Sequence, residues 1–321
     1  MRLDRFDLNL LVVLDVLLEE RNVTRAAERL HIGQSATSAA LARLRDYFGD
    51  SLMVQVGRRM ELTPLAQSLM APVRDALMRA RSAIAMRPTF EPASIGRTFS
   101  VAASDYMLDV LLARVVRDLA SSAPGMRLDI RRTPHDVLEA FERGAVDLLI
   151  IPEQYAGKLQ HPQVQVLEDE HVCMMCADAA KDMADLTLDH YFERGHVSIR
   201  LGDERSLAFE EWFLPRYGRQ RRVECTVDQF SVAPLLVIGT DRIVTMHRRM
   251  AEEMAQRFPV KLFNAPFEMQ PLKEVMVWHR YLDEDLAHRW LRDAILSVAD
   301  RQHHSERLSA ICHQEDTASP G

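Results

Sequence analysis

Between Val23 and Phe48 the chain reads VTRAAERLHIGQSATSAALARLRDYF, two short amphipathic helical patterns joined by a turn too tight for ordinary loop packing. Ala26, Ala27 and Leu30 recur at helical spacing behind Thr24, which reads as the N-cap. In the turn His31-Ile32-Gly33, Ile32 reads as an apolar plug and Gly33 as the residue free to take positive φ. The second pattern should carry Ala36, Ala40, Leu41 and Leu44 inward, with Gln34, Ser35, Thr37, Ser38, Arg43 and Arg45 on or beside the other face. Small residues at Ala26 and Ala27 let the helices cross closely. Short polar residues opening the second helix suit a DNA major groove about 12 Å wide. The pattern predicts a helix-turn-helix; an ordinary helical hairpin inside a core is the competing outcome. Context favours the former. Leu8, Leu11, Val12, Asp15 and Glu19 describe a bracing helix upstream, and Leu52 to Leu62 alternates around Gly57-Arg58-Arg59 as a two-stranded wing.

The stretches DLNLLVVLDVLLEERNVTRAAERL, QSATSAALARLR and TPLAQSLMAPVRDAL, in that order around the wing, resemble the N-terminal domain of the LysR-type transcriptional regulators. Downstream, SVAASDYM, GAVDLLIIPE, EHVCMMC, GHVS and GTDRIVTM resemble the nodulation-regulator branch of that family, so the similarity runs from about Leu3 to about Ala299. It implies a regulator that reads double-stranded DNA through Thr24, Gln34, Ser35, Thr37, Ser38 and Arg43, with the wing residues Gln55, Arg58 and Arg59 on phosphate or the minor groove. It further implies an inverted-repeat operator, a homotetramer built as a dimer of dimers, contact with RNA polymerase, and activation, often with repression of its own gene. Thr37 replaces a more usual aliphatic residue and Ala39 a basic one.

Composition narrows the alternatives. The 321 residues, 47% hydrophobic and 27% charged, suit two domains with sizeable cores. A net charge of −7 argues against coating nucleic acid nonspecifically, so DNA binding must come from placement and from dimerisation. The run Leu8 to Leu18 is interrupted by Asn9 and Asp15, which argues against a membrane span and for a cytoplasmic protein. Four scattered cysteines read as reduced thiols.

The expected division is 1–62 for the winged helix-turn-helix, 63–92 for a linker helix and hinge, 93–300 for an effector domain, and 301–321 for a poorly ordered tail. Thr63-Pro64 opens the linker helix, where Leu65, Leu69, Val73, Ala76, Leu77, Ala80 and Ile84 approximate a heptad seam for a second copy and Pro72 should introduce a kink. From Arg97, strand and helix patterns alternate: strand 98–103, helix 107–120, strand 127–131, helix 136–143, strand 146–151. Further units follow at 164–175, 196–199, 209–217, 222–227, 232–238 and 242–246, then strand 272–279 and helix 285–299. That order predicts parallel α/β sheets. The resemblance implies two lobes of the periplasmic-binding-protein type, lobe I at about 93–167 and 268–300 and lobe II at about 168–267. An effector belongs between them.

Candidate effector residues are Ser104, Asp105 and Tyr106 after the first strand, Arg132 and Thr133 after the second, and Ser198, Arg200, Phe230 and Ser231 from the second lobe. Helix capping is the plain alternative for Ser104 and Asp105, and a surface ion pair for Arg200. Few charges and several aromatic or Met side chains suit a small aromatic or phenolic compound. Cys173-Met174-Met175-Cys176 has redox or zinc spacing but lies in a strand pattern, where residues three apart face opposite ways. His303, His304, Cys312 and His313 in the tail could bind a metal, although a solvated, poorly ordered tail is the expected reading. No catalytic motif is present, and neither cofactor nor metal is expected. Two other classes remain: a small-molecule sensor without operator specificity, which predicts no sequence preference on DNA, and an enzyme on the same fold, which predicts turnover.

Overall fold

The computed structural model describes residues 6–57, 59–85, 91–132, 137–157, 159–200 and 217–317, with side chains at 82, 85 and 303–317 left aside. The chain divides into two compact units, 1–86 and 87–321. Arg58, Thr133 and all of the 209–217 segment but Tyr217 lie outside the described residues.

In the first unit, α1 (Asn9–Glu20), α2 (Val23–Leu30) and α3 (Gln34–Phe48) precede a wing of β1 (Met53–Val56) and β2 (Arg59–Leu62), and α4 (Pro64–Ala85) follows. The core joins Leu10, Leu14, Leu17 and Leu18 of α1 to Ala26, Leu41, Leu44, Leu52, Leu62, Ala66, Val73 and Leu77. The buried stripe of α1 therefore differs from the expected one: Leu8 and Val12 are exposed, and Asp15 pairs with Arg74 at 3.3 Å. Burial raises the Asp15 pKa.

Four expectations about the helical pair need correction. Asn22, not Thr24, caps α2, its side-chain oxygen accepting the N–H groups of Thr24 (2.9 Å) and Arg25 (3.1 Å). His31, not Gly33, takes the left-handed backbone at the turn, with φ 54° against −67° for Gly33. Ile32 is 42% exposed rather than a plug, and Ala36 is exposed rather than buried. The turn closes instead through backbone bonds from His31 and Ile32 N–H to Glu28 and Ala27 carbonyls. An αL C-cap of this kind satisfies the last carbonyls of a helix, so no apolar plug is required.

The wing pairs antiparallel from Met53↔Leu62 to Val56↔Arg59, turning at Gly57, whose φ of 63° favours glycine. Arg45 anchors its base by donating to the Ser51 and Met53 carbonyls at 2.7 and 3.0 Å. Asp50 accepts Leu52 N–H and the Thr63 hydroxyl, while Thr63 Oγ1 accepts Ala66 N–H and caps α4. The heptad reading of α4 splits. Val73 and Leu77 are buried in this unit's own core, whereas Leu65, Ala76, Ala80 and Ile84 are exposed, Ile84 by 74%.

In the second unit β3 (Thr98–Ala103) leads into α5 (Asp105–Met107), a π turn (Leu108–Leu112) and α6 (Ala113–Ser122). There follow β4 (Arg127–Arg132), α7 (Val137–Glu142), β5 (Leu148–Pro152), α8 (Glu153–Ala156), β6 (Gln163–Asp169) and β7 (His171–Cys176). Next come α9 (Leu188–Glu193), β8 (Gly195–Ile199), β9 (Arg222–Val227), α10 (Ala233–Val237), β10 (Ile243–His247), α11 (Arg248–Ala255), β11 (Val260–Asn264), β12 (Leu272–Trp278) and α12 (Leu286–Thr317). Two five-stranded sheets result, ordered β4-β3-β5-β12-β6 in lobe I and β11-β7-β10-β8-β9 in lobe II.

Both sheets are mixed, not parallel. β12 runs antiparallel to β5 and β6, and β7 antiparallel to β10 and β11. The expected unit 164–175 is two strands broken at Glu170, where the chain passes between lobes. It returns between Asn264 and Leu272. The last helix runs from Leu286 to Thr317. Gln302 Nε2 donates to the Val110 carbonyl at 2.7 Å and holds α12 on lobe I beyond the expected end.

Asn22→Ala should cost the first unit about 1 kcal/mol, because both N–H groups lose their acceptor. Urea denaturation followed by circular dichroism measures this, and Thr24→Ala should cost less. The reverse order would place the cap on Thr24.

Candidate functional site

On α3, Gln34, Ser35, Ser38, Ala39 and Arg43 are exposed, while Leu41 and Leu44 enter the core. Thr37 does not join the exposed set. It is 0% exposed, and its hydroxyl donates to the Gly33 carbonyl at 3.2 Å. Its methyl can then pack inward as an aliphatic residue would, because the polar atom is satisfied locally. Thr24 is exposed at the start of α2. Arg43 lies 3.4 Å from Asp7, both partners being open to solvent, so the pair restrains it only weakly. On the wing Gln55 and Arg59 are exposed, with Gln55 Nε2 donating to the Gly57 carbonyl. Helix and wing together present short polar side chains and one described wing cation on solvent-facing surface.

The second candidate region is the junction of the lobes. In lobe I, β3 and β4 run parallel and end at Ala103 and Arg132; in lobe II, β8, β9 and β10 end at Ile199, Val227 and His247. Residues just past these ends meet. Asp105 accepts the N–H groups of Phe230 (3.2 Å) and Ser231 (2.8 Å), and Arg132 reaches Asp228 at 2.7 Å. Ser104 is buried and caps α5 by accepting Met107 N–H. Tyr106 is fully buried and donates its hydroxyl to Asp169 Oδ2 at 2.7 Å. Asp105 and Tyr106 thus serve bonds within the protein. Ser198 is buried, its Oγ without a hydrogen-bond partner among the described residues, and Arg200 N–H donates to the Val227 carbonyl.

Several buried groups here escaped the sequence reading. The rings of Tyr106 and His247 lie 4.5 Å apart, Phe230 and His247 4.8 Å, and His171 and His247 4.9 Å. Burial holds His171 down to about 4, and His247 well below the ordinary histidine value with help from His171. Burial raises Glu274 to about 8, and its Oε2 has no hydrogen-bond partner among the described residues. Near neutral pH these groups are therefore mostly uncharged. Burial also lifts Asp169, although the Tyr106 hydroxyl and the N–H groups of Arg249 and Glu170 oppose the shift. The faint signal was ionisable residues inside or ending apolar strands: EHVCMMC, RIVTMH and LKEVMVW.

Cys173 and Cys176 point to opposite faces of β7 and make separate contacts. Cys173 Sγ lies 3.7 Å from Thr245 Oγ1, and Cys176 Sγ accepts Gly239 N–H at 3.3 Å, which lowers its pKa.

Two family models match this chain: a bacterial regulatory helix-turn-helix protein of the lysR family over residues 8–67, and a LysR substrate binding domain over residues 93–300. The chain belongs to the LysR family. Among curated LysR relatives, nodulation protein D 2 of Rhizobium tropici is 38% identical over 299 residues, covering 93% of this chain and 95% of the relative. Nodulation protein D of Bradyrhizobium sp. (strain ANU 289) is also 38% identical, covering 93% and 88%. Among solved structures, the probable transcriptional regulator PA0477 from Pseudomonas aeruginosa shares 31% identity over 92% of this chain and 98% of its own, with TM-score 0.62. Full-length OxyR from the same organism, solved as a point variant, matches in fold at 18% identity and TM-score 0.61, covering 90% and 97%. This is a LysR-type DNA-binding transcriptional regulator with a two-lobed α/β domain. Among the described residues, no helix is long and apolar enough to cross a membrane.

The junction of this LysR chain has a pH signature. Folded Glu274 keeps its proton up to about 8, whereas the unfolded chain releases it near 4.5, so its favourable contribution is complete below 4.5 and lost as pH rises to about 8. His171 acts oppositely: neutral down to about 4 when folded, it contributes above 6.5 and loses that contribution as pH falls towards 4. Thermal melts at pH 5, 6.5 and 8 should therefore show Glu274→Gln gaining on the parent chain as pH rises. Parallel profiles would mean that Glu274 ionises normally.

Proposed function

We propose that this regulator recognises an inverted-repeat operator by laying the start of α3 in the major groove. The exposed Gln34, Ser35 and Ser38 on a helix whose other face is core carry this reading. Gln34 is suited to paired hydrogen bonds with adenine, and serine to either donor or acceptor edges. Arg43 and Thr24 face the flanking backbone, and Gln55, Arg58 and Arg59 contact phosphate or the minor groove. Thr37 is withdrawn from the base-reading set because its hydroxyl is used inside the helix.

Dimerisation follows from the part of the expected α4 seam that its own unit leaves uncovered, Leu65, Ala76, Ala80 and Ile84. A second copy of the helix would cover it, and two such dimers would span two half-sites. The lobe junction binds a small aromatic effector. The rings of Tyr106, Phe230 and His247, with mostly uncharged polar groups around them, support that class over a charged one. The effector would act by favouring one lobe and dimer arrangement over another, which changes the DNA path and recruits RNA polymerase. Activation, with repression of its own gene, is the expected output, and regulation rather than turnover is the role of the domain.

Footprinting on the chain's own upstream region, with nonspecific competitor present, tests the reading. Protection over several helical turns, shifted by phenolic compounds, is the expected result. Ser38→Leu should abolish the footprint while leaving the far-UV spectrum unchanged. Folded Ser38→Leu protein with undiminished protection would refute the placement of α3. Ligand binding without any footprint would instead favour a sensor lacking operator specificity.

A further inference from the structure

Lobe I gathers Glu142, His161 and His279 at the end of its sheet opposite the lobe junction. Glu142 closes α7, His161 precedes β6 and His279 follows β12. On β12, Glu274 pairs with Pro152 near the junction and Trp278 with Leu148 at the far end, so the trio lies roughly one strand length, about 15–20 Å, from the cleft. One ligand atom from each residue lies within 4.8 Å of the others. Glu142 Oε1 and His161 Nε2 are 3.1 Å apart. The two imidazoles sit with centroids 4.4 Å apart, and Phe141 packs edge-on against His161 at 5.2 Å. His161 is 3% exposed at its side chain and Glu142 49%. The arrangement has an apolar back wall and an open carboxylate mouth.

We propose that Glu142, His161 and His279 bind one divalent transition-metal ion of the zinc class. Two imidazoles and one carboxylate form a donor set that zinc accepts while keeping a further position for water. Zinc–ligand bonds of about 2.0–2.2 Å in a tetrahedron bring ligand atoms to within about 3.3 Å of each other. The Glu142–His161 pair is already that close, and rotation of the half-exposed Glu142 side chain together with a small ring shift closes the remainder. Binding exchanges the hydrogen bond between His161 and Glu142 for two metal bonds. The His161 ring proton then moves to Nδ1, at the expense of a long contact from Arg280 N–H (3.5 Å). His279 Nδ1 receives a similarly long contact from Tyr281 N–H, at 3.4 Å. Because protonated imidazole cannot ligate, affinity falls as pH drops. The ion would tie α7, the chain before β6 and the end of β12 together, remote from the effector position. Separation in sequence hid the set, since no two of its members share a motif.

The test uses the full chain, stripped with chelator and titrated with Co²⁺ as a visible-absorption probe, then with Zn²⁺ and Mg²⁺ as competitors. His303, His304, Cys312 and His313 are alternative ligands, so the titration is repeated with His303→Asn, His304→Asn, Cys312→Ser and His313→Asn combined. One equivalent of Co²⁺, displaced by Zn²⁺ but not by Mg²⁺ and retained in the combined variant, is expected. Glu142→Gln should weaken binding tenfold or more, and His161→Gln should remove it. Loss of binding in the combined variant, no saturable Co²⁺ binding, or unchanged affinity in Glu142→Gln would overturn the site. Should His161→Gln fail to fold, the exposed Glu142→Gln variant decides alone.

Discussion

Asp169 holds the two-lobed unit together. It ends β6, one residue before the chain leaves lobe I, and accepts the Tyr106 hydroxyl at 2.7 Å, Glu170 N–H at 2.8 Å and Arg249 N–H at 3.1 Å. Those donors come from the helix after β3, from the crossing itself and from the start of α11, so one carboxylate ties both lobes to their connection. A buried carboxylate is costly unless its lone pairs are occupied, and here three donors occupy them. The rings of Tyr106, His247 and His171 pack around this knot. Any change in the angle between the lobes must strain these bonds or those of Asp105 to Phe230 and Ser231 N–H. Asp105 works from the outside of the same junction, being less buried than Asp169. The two aspartates therefore differ in role: Asp169 fixes the crossing, while Asp105 joins surfaces that a ligand could pull apart.

The helix-turn-helix was legible because its signals are local. Small residues at Ala26 and Ala27, inward Leu41 and Leu44, and alternation about Gly57 each follow from one short stretch of chain. The errors in this unit have local causes as well. Leu8 to Leu18 is apolar nearly all round, so periodicity cannot select which stripe meets the core, and the core chose Leu10, Leu14, Leu17 and Leu18. Asn22 precedes Thr24 by two positions and ranks above threonine as an N-cap, so residue preference agrees with the observed cap, although position alone left both open. Thr37 was assigned by polarity, yet a hydroxyl bonded to its own helix leaves a side chain that packs as an apolar one.

In the larger unit strand positions were legible and their directions were not. Strand patterns such as 98–103, 222–227 and 272–279 were legible, but nothing local tells β12 that it must lie antiparallel between β5 and β6. The break at Glu170 is one residue long and hides within an otherwise continuous strand pattern. The candidate effector residues follow the carboxyl ends of parallel strands, where ligands commonly bind. Their polar atoms proved harder to assign. Whether Asp105 faces a ligand or two backbone N–H groups of the other lobe depends on a contact more than a hundred residues distant, beyond the reach of any spacing argument.

Charge balance at the junction follows from the same burial that hides it. Glu274 is pushed up and His171 and His247 are pushed down, so the shifts have opposite sign in charge but the same consequence: each group favours its neutral form. Burial is the first cause of every one of these shifts, so desolvation rather than pairing sets the charge state. A neutral polar interior of this kind keeps donors and acceptors available without the desolvation cost of a charge.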